Sequence, residues 1–407
     1  MTTAVVTGLG VLAPNGMGVE ECWAATLAGK TGIRPISGFD ASRYSVTVAG
    51  ELAGFHAVDR VPRGLIVQTD KWTQHGLVCA GNALADAAVD TAALGEYEMA
   101  VVTASSSGGN EFGQREIQRL WEKGPEFVGA YQSIAWFYAA TTGQVSIRHG
   151  MRGPCGVVAT EQAGGLDAIG QARRLLRAGT PVIVTGGTDA SLCPYGLVAQ
   201  TATGRMSTRA DPDRAYLPFD ADACGHVVGE GGAIAVVEDH AAAVDRGAPH
   251  RYGEIAGYAA TFDPPPGSPR PPGLRRAALA ALEDAGVAPG EVDVVFADAA
   301  GTPALDRDEA AAIAGIFGPE GVPVTAPKTM TGRLLAGGAA LDVAFALLSM
   351  RDSVIPPTVG VRRPGAEYHL DLVLDEPREA RVRIALVLAR GHGGFNSAMV
   401  VRQCGTD

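Results

Sequence analysis

An α/β fold, with sheets covered by helices, is what this chain predicts, and three observations carry that reading. Short apolar runs alternate with helix-patterned stretches along its length. The chain has 407 residues, too many for one ordinary core, which suggests two substantial halves, 1–250 and 251–407. Between them lies the stretch from Asp263 to Gly273, whose prolines forbid a helix or central strand and favour an extended surface loop.

The elements follow in order. Apolar strands are expected near residues 3–7, 99–103 and 181–185, the last closed by Gly186 and Gly187. From Ala163 a helix is expected. Leu166, Ile169, Ala172 and Leu176 fall at helical spacing, Arg173, Arg174 and Arg177 crowd the last turn, and Gly179 follows as a C-terminal stop. Further strands are expected near 292–297, 383–388 and 397–402, with a long helix over 332–351.

Composition narrows the function classes. Hydrophobic residues make up 46% and charged residues 19%, a globular balance. A net charge of −11 and a pI near 5.3 disfavour nucleic acid or an anionic membrane as partner, and count against this chain alone docking an acidic protein. The N-terminus lacks the basic start and apolar core of a signal peptide, and the longest uncharged stretch, 131–147, is interrupted by polar residues. Six scattered cysteines without metal or redox spacing fit reduced thiols in a cytoplasmic protein. Cys155 reads as a small buried or loop residue, and His226 as a packing or hydrogen-bonding one. No cofactor or metal motif is present.

The chemistry-bearing segment is Thr160-Glu161-Gln162-Ala163-Gly164-Gly165-Leu166-Asp167-Ala168, a loop entering a helix. Acyl-transfer enzymes hold a nucleophilic cysteine in such a setting, where the helix field favours its thiolate. Here the position holds Gln162, a neutral amide that offers hydrogen bonds but no attacking electron pair. The segment resembles the Thr-Ala-Cys-Ser-Ser-Gly-Leu-Asp-Ala motif of β-ketoacyl synthases. In particular, the chain resembles the chain length factors, or ketosynthase β subunits, of type II aromatic polyketide synthases. The run from Val5 to Gly10 resembles the opening strand of that family. Leu217 to Asp220, with Gly225 to Gly232, resembles its mid-chain Pro-Phe-Asp…Gly-Glu-Gly signature.

The resemblance carries over to two further positions. Asp298, in Asp298-Ala299-Ala300-Gly301-Thr302, stands where the family has the histidine of His-Gly-Thr-x-Thr. Arg333 stands where Lys-Ser-x-x-Gly-His ends, while Lys328 keeps the lysine and reads as structural. The reactive Cys-His-His set is therefore changed at all three places. An ionised Asp298 would repel a developing enolate, and Arg333 cannot exchange protons near neutrality. An Asp298–Arg333 ion pair filling the vacated pocket is expected, since neither charge tolerates burial alone. In the C-terminal Gly-rich turn, Arg390 and His392 occupy places where the family usually has phenylalanine.

The resemblance further implies a thiolase-like, layered α-β-α-β-α fold of two similar halves. It implies a heterodimer with a ketosynthase α subunit and an interface tunnel for the growing chain, with the acyl carrier protein engaged mainly through the partner. Asn110, Gly113 and Ile117 recur on one helical face and match positions where chain length factors place gatekeeping side chains. Tyr195 is a further candidate lining residue, and Gly108 with Gly109 permits close backbone approach. Gly113 is expected to leave space, giving a comparatively long tunnel and a product beyond the shortest aromatic class. Two alternatives stay open. One is a malonyl-carrier-protein decarboxylase that supplies the starter unit through Gln162. The other is a purely structural role without influence on product size.

Overall fold

The computed structural model describes residues 2–265 and 267–405. The first half contains β1 (Ala4–Leu12), a small pair β2 (Ile33–Pro35) and β3 (Val48–Gly50), then β4 (Met99–Ala104), β5 (Cys155–Val158), β6 (Val182–Asp189) and β7 (Gly231–Asp239). In the second half come β8 (Gly253–Phe262), β9 (Val294–Phe296), β10 (Pro323–Thr325), β11 (Val354–Ile355), β12 (Asp371–Leu372), β13 (Arg378–Glu379), β14 (Ile384–Arg390) and β15 (Phe395–Arg402).

Among the described residues, the hydrogen-bonded strand order is β12-β10-β9-β14-β15-β8-β1-β7-β6-β4-β5. Outward from the centre, β1 meets β7 and β7 meets β6 antiparallel, and β4 and β5 follow in parallel. In the other direction β8 meets β15 and β15 meets β14 antiparallel, and β9 and β10 follow in parallel. The order and sense of the strands repeat, so the halves share one topology. The two sheets meet where β1 pairs with β8, through Val5–Glu254 and Val6–Gly253.

Side-chain alternation along the strands separates three apolar layers. Ala233, Ala235 and Val237 of β7 share an inner core with Ala385 and Val387 of β14, whereas Ile234 and Val236 face Leu77 and Leu84. Leu386 and Leu388 face Ala278 and Leu282 instead. Helices Gly164–Arg177 and Gly338–Asp352 therefore lie between the sheets. Helix Lys71–Asp86 covers the outer face of the first sheet, and helix Leu274–Ala285, with Pro303–Phe317 beside it, covers that of the second. This is the α-β-α-β-α layering that the resemblance implies.

Helix Gly338–Asp352 is buried continuously from Gly338 to Met350, which explains its apolar character on every face. Phe345 is among its largest buried side chains, and truncating such a residue to alanine typically costs about 3–5 kcal/mol.

Three expectations change in detail. Strand β6 runs through Gly186 and Gly187 to Asp189, because both glycines stay paired with β4 and β7. Helix 332–351 begins only at Gly338, because Arg333 donates its N–H to Val227 at 2.7 Å and a short 3₁₀ turn, Leu335–Gly337, intervenes. The segment 263–273 holds neither helix nor strand among its described residues; Pro266 lies outside them. No helix among the described residues is long and apolar enough to cross a membrane.

Candidate functional site

Gln162 sits in the 3₁₀ turn Glu161–Ala163 that feeds helix Gly164–Arg177. Glu161 adopts a left-handed backbone, φ 52°, at a cost of about 1–2 kcal/mol. Gln162 is 1% exposed, and its amide lies against Gly338, where a Cβ would come within 2.4 Å of Nε2. Neither amide atom has a hydrogen-bond partner in the protein. The Gln162 side chain is pressed onto an inner helix and is not among the residues that line the neighbouring cavity.

The other altered positions converge. Strand β9 ends just before Asp298, and Arg333 follows the turn that carries Lys328. Arg333 Nη1 lies 3.2 Å from Asp298 Oδ1, and its Nε lies 3.5 Å from Glu161. Its Nη2 also donates to the Arg390 carbonyl, while the Arg390 N–H donates to Asp298 Oδ1 at 2.9 Å. Asp298 and Arg333 are both buried. Burial opposes the charge on Arg333, but Asp298 and then Glu161 outweigh it and raise its pKa. This guanidinium stays charged and moves no proton.

Behind the pair, Glu309 accepts from the N–H groups of Asp298 and Ala299 at 2.7 and 2.8 Å. Asp306 accepts from Gly301 and Phe219, both at 2.9 Å. Lys328 Nζ lies 2.9 Å from Asp342 and also donates to the Ala297 carbonyl. Burial pushes Asp306 and Glu309 up to about 7 and Asp342 to about 6. These three acids back the Asp298–Arg333 pair without lining the neighbouring cavity.

A cavity of about 340 Å³ opens beside this pair, lined by Ser106, Glu161, Arg205, His226, Arg333 and Arg390 among others. Burial, and next the Arg333 charge, lower His226 to about 3, so it stays neutral and is no general acid. The Gly-rich turn is tied down as well: the His392 N–H donates to Glu161 at 2.8 Å, and Arg390 Nη1 donates to the Leu305 carbonyl at 3.0 Å. Cys155 is neither buried nor in a loop but exposed at the start of edge strand β5. No group of residues that could hold a metal is found among the described residues.

The chain-length candidates lie on and beside helix Asn110–Lys123. Asn110 is buried and donates from Nδ2 to Ser107 Oγ at 2.7 Å and to Ser191 Oγ at 3.2 Å. Gly113 is buried but leaves no room, because a Cβ there would stand 2.6 Å from Trp136 Cδ1. The expected space is filled by an indole from a segment 23 positions further along the chain. Ile117 is 49% exposed, and Tyr195, 57% exposed, donates its N–H to Gln114 at 2.7 Å. Sequence reasoning missed Glu161, Asp306, Glu309 and Trp136. Only the i, i+3 spacing of Asp306 and Glu309 behind the Asp298 turn offered a signal.

A doubled, layered α/β fold with a buried polar cluster beside a cavity defines a ketosynthase-like protein. The N-terminal domain of β-ketoacyl synthase matches residues 1–243, and its C-terminal domain matches residues 252–362. The chain is 61% identical to the tetracenomycin polyketide synthase ketoacyl synthase beta subunit of Streptomyces glaucescens, over 98% of each chain. The ishigamide ketosynthase/chain length factor superposes with a TM-score of 0.90 at 28% identity, covering 99% of this chain and 100% of that one. A type II acyl-carrier protein complex with its ketosynthase bound to a hexaketide superposes at 0.88 and 26% identity, covering 99% and 100%. The chain belongs to the β-ketoacyl synthase family. Within it, the chain groups with the ketosynthase β subunits of type II polyketide synthases.

Proposed function

We propose that the chain is a chain length factor, without condensing activity of its own. It pairs with a ketosynthase α subunit in the cytoplasm and shapes the interface tunnel that sets polyketide length. Residues 1–250 and 251–407 are its two halves. The observation that supports this reading is the buried Asp298–Arg333 pair, held by Glu161 and the Arg390 backbone, at two of the three positions where the family motifs carry their reactive groups. Asn110, Gly113, Ile117 and Tyr195 are its chain-length positions. No cofactor enters the reading, and the acyl carrier protein is engaged mainly through the partner.

The docking face is supported by exposure. Trp121, Phe127, Tyr131, Trp136, Phe137 and Tyr138 are all more than 40% exposed on and after helix Asn110–Lys123. Such a dense apolar surface marks an interaction site. Its occupant on this reading is the ketosynthase α subunit.

The test is co-expression with a ketosynthase α subunit, followed by co-purification and product mass analysis. Stable pairing is expected, with products whose length changes upon Asn110→Phe. Acylation and chain extension by this polypeptide alone would overturn the reading. A second reading is decarboxylation of malonyl-carrier protein through Gln162, whose amide atoms have no partner in the protein. Acetyl-carrier formation by a pair with an inactivated α subunit, lost on Gln162→Ala, would establish it.

A further inference from the structure

We propose that Trp136 is a specificity-determining residue, and that its indole rather than Gly113 forms the chain-length wall at this level of the helix. The proposal rests on the chain-length reading above and deepens it.

The segment carrying Trp136 is moulded onto the helix by close approach at three glycines. A Cβ at Gly109 would stand 2.2 Å from the Ala135 carbonyl oxygen, and one at Gly108 would stand 2.4 Å from that of Trp136. The Gly109 N–H donates to the Trp136 carbonyl at 3.2 Å, and Ala135 is fully buried. Further back, the Gly129 N–H donates to Glu116 at 2.6 Å, strapping the other end of the loop to the same helix. The backbone of Trp136 is thereby placed, and only its side-chain rotamer remains free.

That side chain lies across Gly113, with Cδ1 and Nε1 2.6 and 3.2 Å from a would-be Cβ, so no side chain at 113 fits without moving the ring. Trp136 is also 51% exposed, close to the 49% of Ile117 and the 57% of Tyr195. Of the expected wall positions, Asn110 is buried and anchored to two hydroxyls, and Gly113 contributes no side chain. The bulk between Asn110 and Ile117 is therefore the indole. Shrinking it opens the tunnel; adding a methyl at 113 pushes the indole outward and closes it.

The experiment uses the heterodimer with its ketosynthase α subunit, malonyl-carrier protein as substrate and mass analysis of the products. Trp136→Ala is expected to shift the products longer by at least one two-carbon unit, with Trp136→Phe in between. Gly113→Ala is expected to shift them shorter, and this shortening should vanish in the Trp136→Ala background, because the two residues act through one contact. Unchanged length in an assembled Trp136→Ala pair, or a Gly113→Ala effect that persists without the indole, would overturn the proposal. If Trp136→Ala does not co-purify with the partner, Trp136→Leu and Trp136→Phe carry the test, and absence of a graded shift overturns it. Asn110→Phe serves as the control. If it shortens products while the Trp136 variants do not, the wall assignment alone fails; if neither alters length, the chain-length reading itself fails.

Discussion

Arg333 is the hub of the buried polar cluster beside the cavity. It binds Asp298, Glu161 and the Arg390 carbonyl at once, so its loss leaves the buried Asp298 carboxylate without its countercharge. Arg333→Met is expected to cost about 3–5 kcal/mol in urea unfolding, and combining it with Asp298→Asn should cost less than the single change. Restoring the nucleophile alone should not restore activity. Gln162→Cys is expected to remain unacylated by intact-mass analysis after incubation with acyl-carrier protein, since Glu161 and Asp298 disfavour a thiolate and His226 stays neutral. Stoichiometric acylation would show that the pocket is still competent. Gln162, Asp298 and Arg333 could be singled out because each sits in a short contiguous motif. Glu161 could not, because its role depends on Arg333 and His392, far away in the chain.

At the scale of elements, the position of helix Asn110–Lys123 depends on Asp70 as well as on its glycines. Asp70 caps helix Lys71–Asp86 by accepting from the Trp72 N–H at 3.2 Å, and accepts from the Phe112 N–H at 2.7 Å. One carboxylate thus ties two helix starts together. Asp70→Ala is expected to lower stability by about 1–2 kcal/mol and to speed hydrogen exchange over residues 110–113; unchanged protection there would refute the tie. The strand and helix runs near 99–103, 163–177 and 383–388 were readable from periodicity. The end of β6 was not: Gly186 and Gly187 read as a turn, but in the sheet they permit close packing. The uncharged stretch 131–147 read as interrupted by polar residues, and its aromatic exposure became visible only in the fold.

Over the whole molecule, buried acids dominate the pH response. Asp70, Asp306 and Glu309 sit near 7, and Asp189 and Asp342 near 6, all raised by burial. A raised carboxyl binds more protons folded than unfolded, so its contribution weakens as pH climbs from about 4 through its folded value. His75 and His226, lowered to about 3 by burial, act in the opposite sense and lose stability as pH falls below about 6.5. Five carboxyls outweigh two histidines between pH 6 and 8. The melting temperature is therefore expected to be a few degrees higher at pH 6 than at pH 8 by calorimetry. A flat or rising profile over that window would contradict the burial of these acids.

The amino-acid order by itself determined the α/β class, the family likeness and which residues, Gln162, Asp298 and Arg333, stand in the motif positions, because these reside in periodicity and short contiguous motifs. Only the tertiary structure decided that the two halves repeat one strand order, that Gln162 faces an inner helix, and that an indole fills the place above Gly113. Each depends on groups distant along the chain meeting within a few ångströms, a relation that local pattern does not encode.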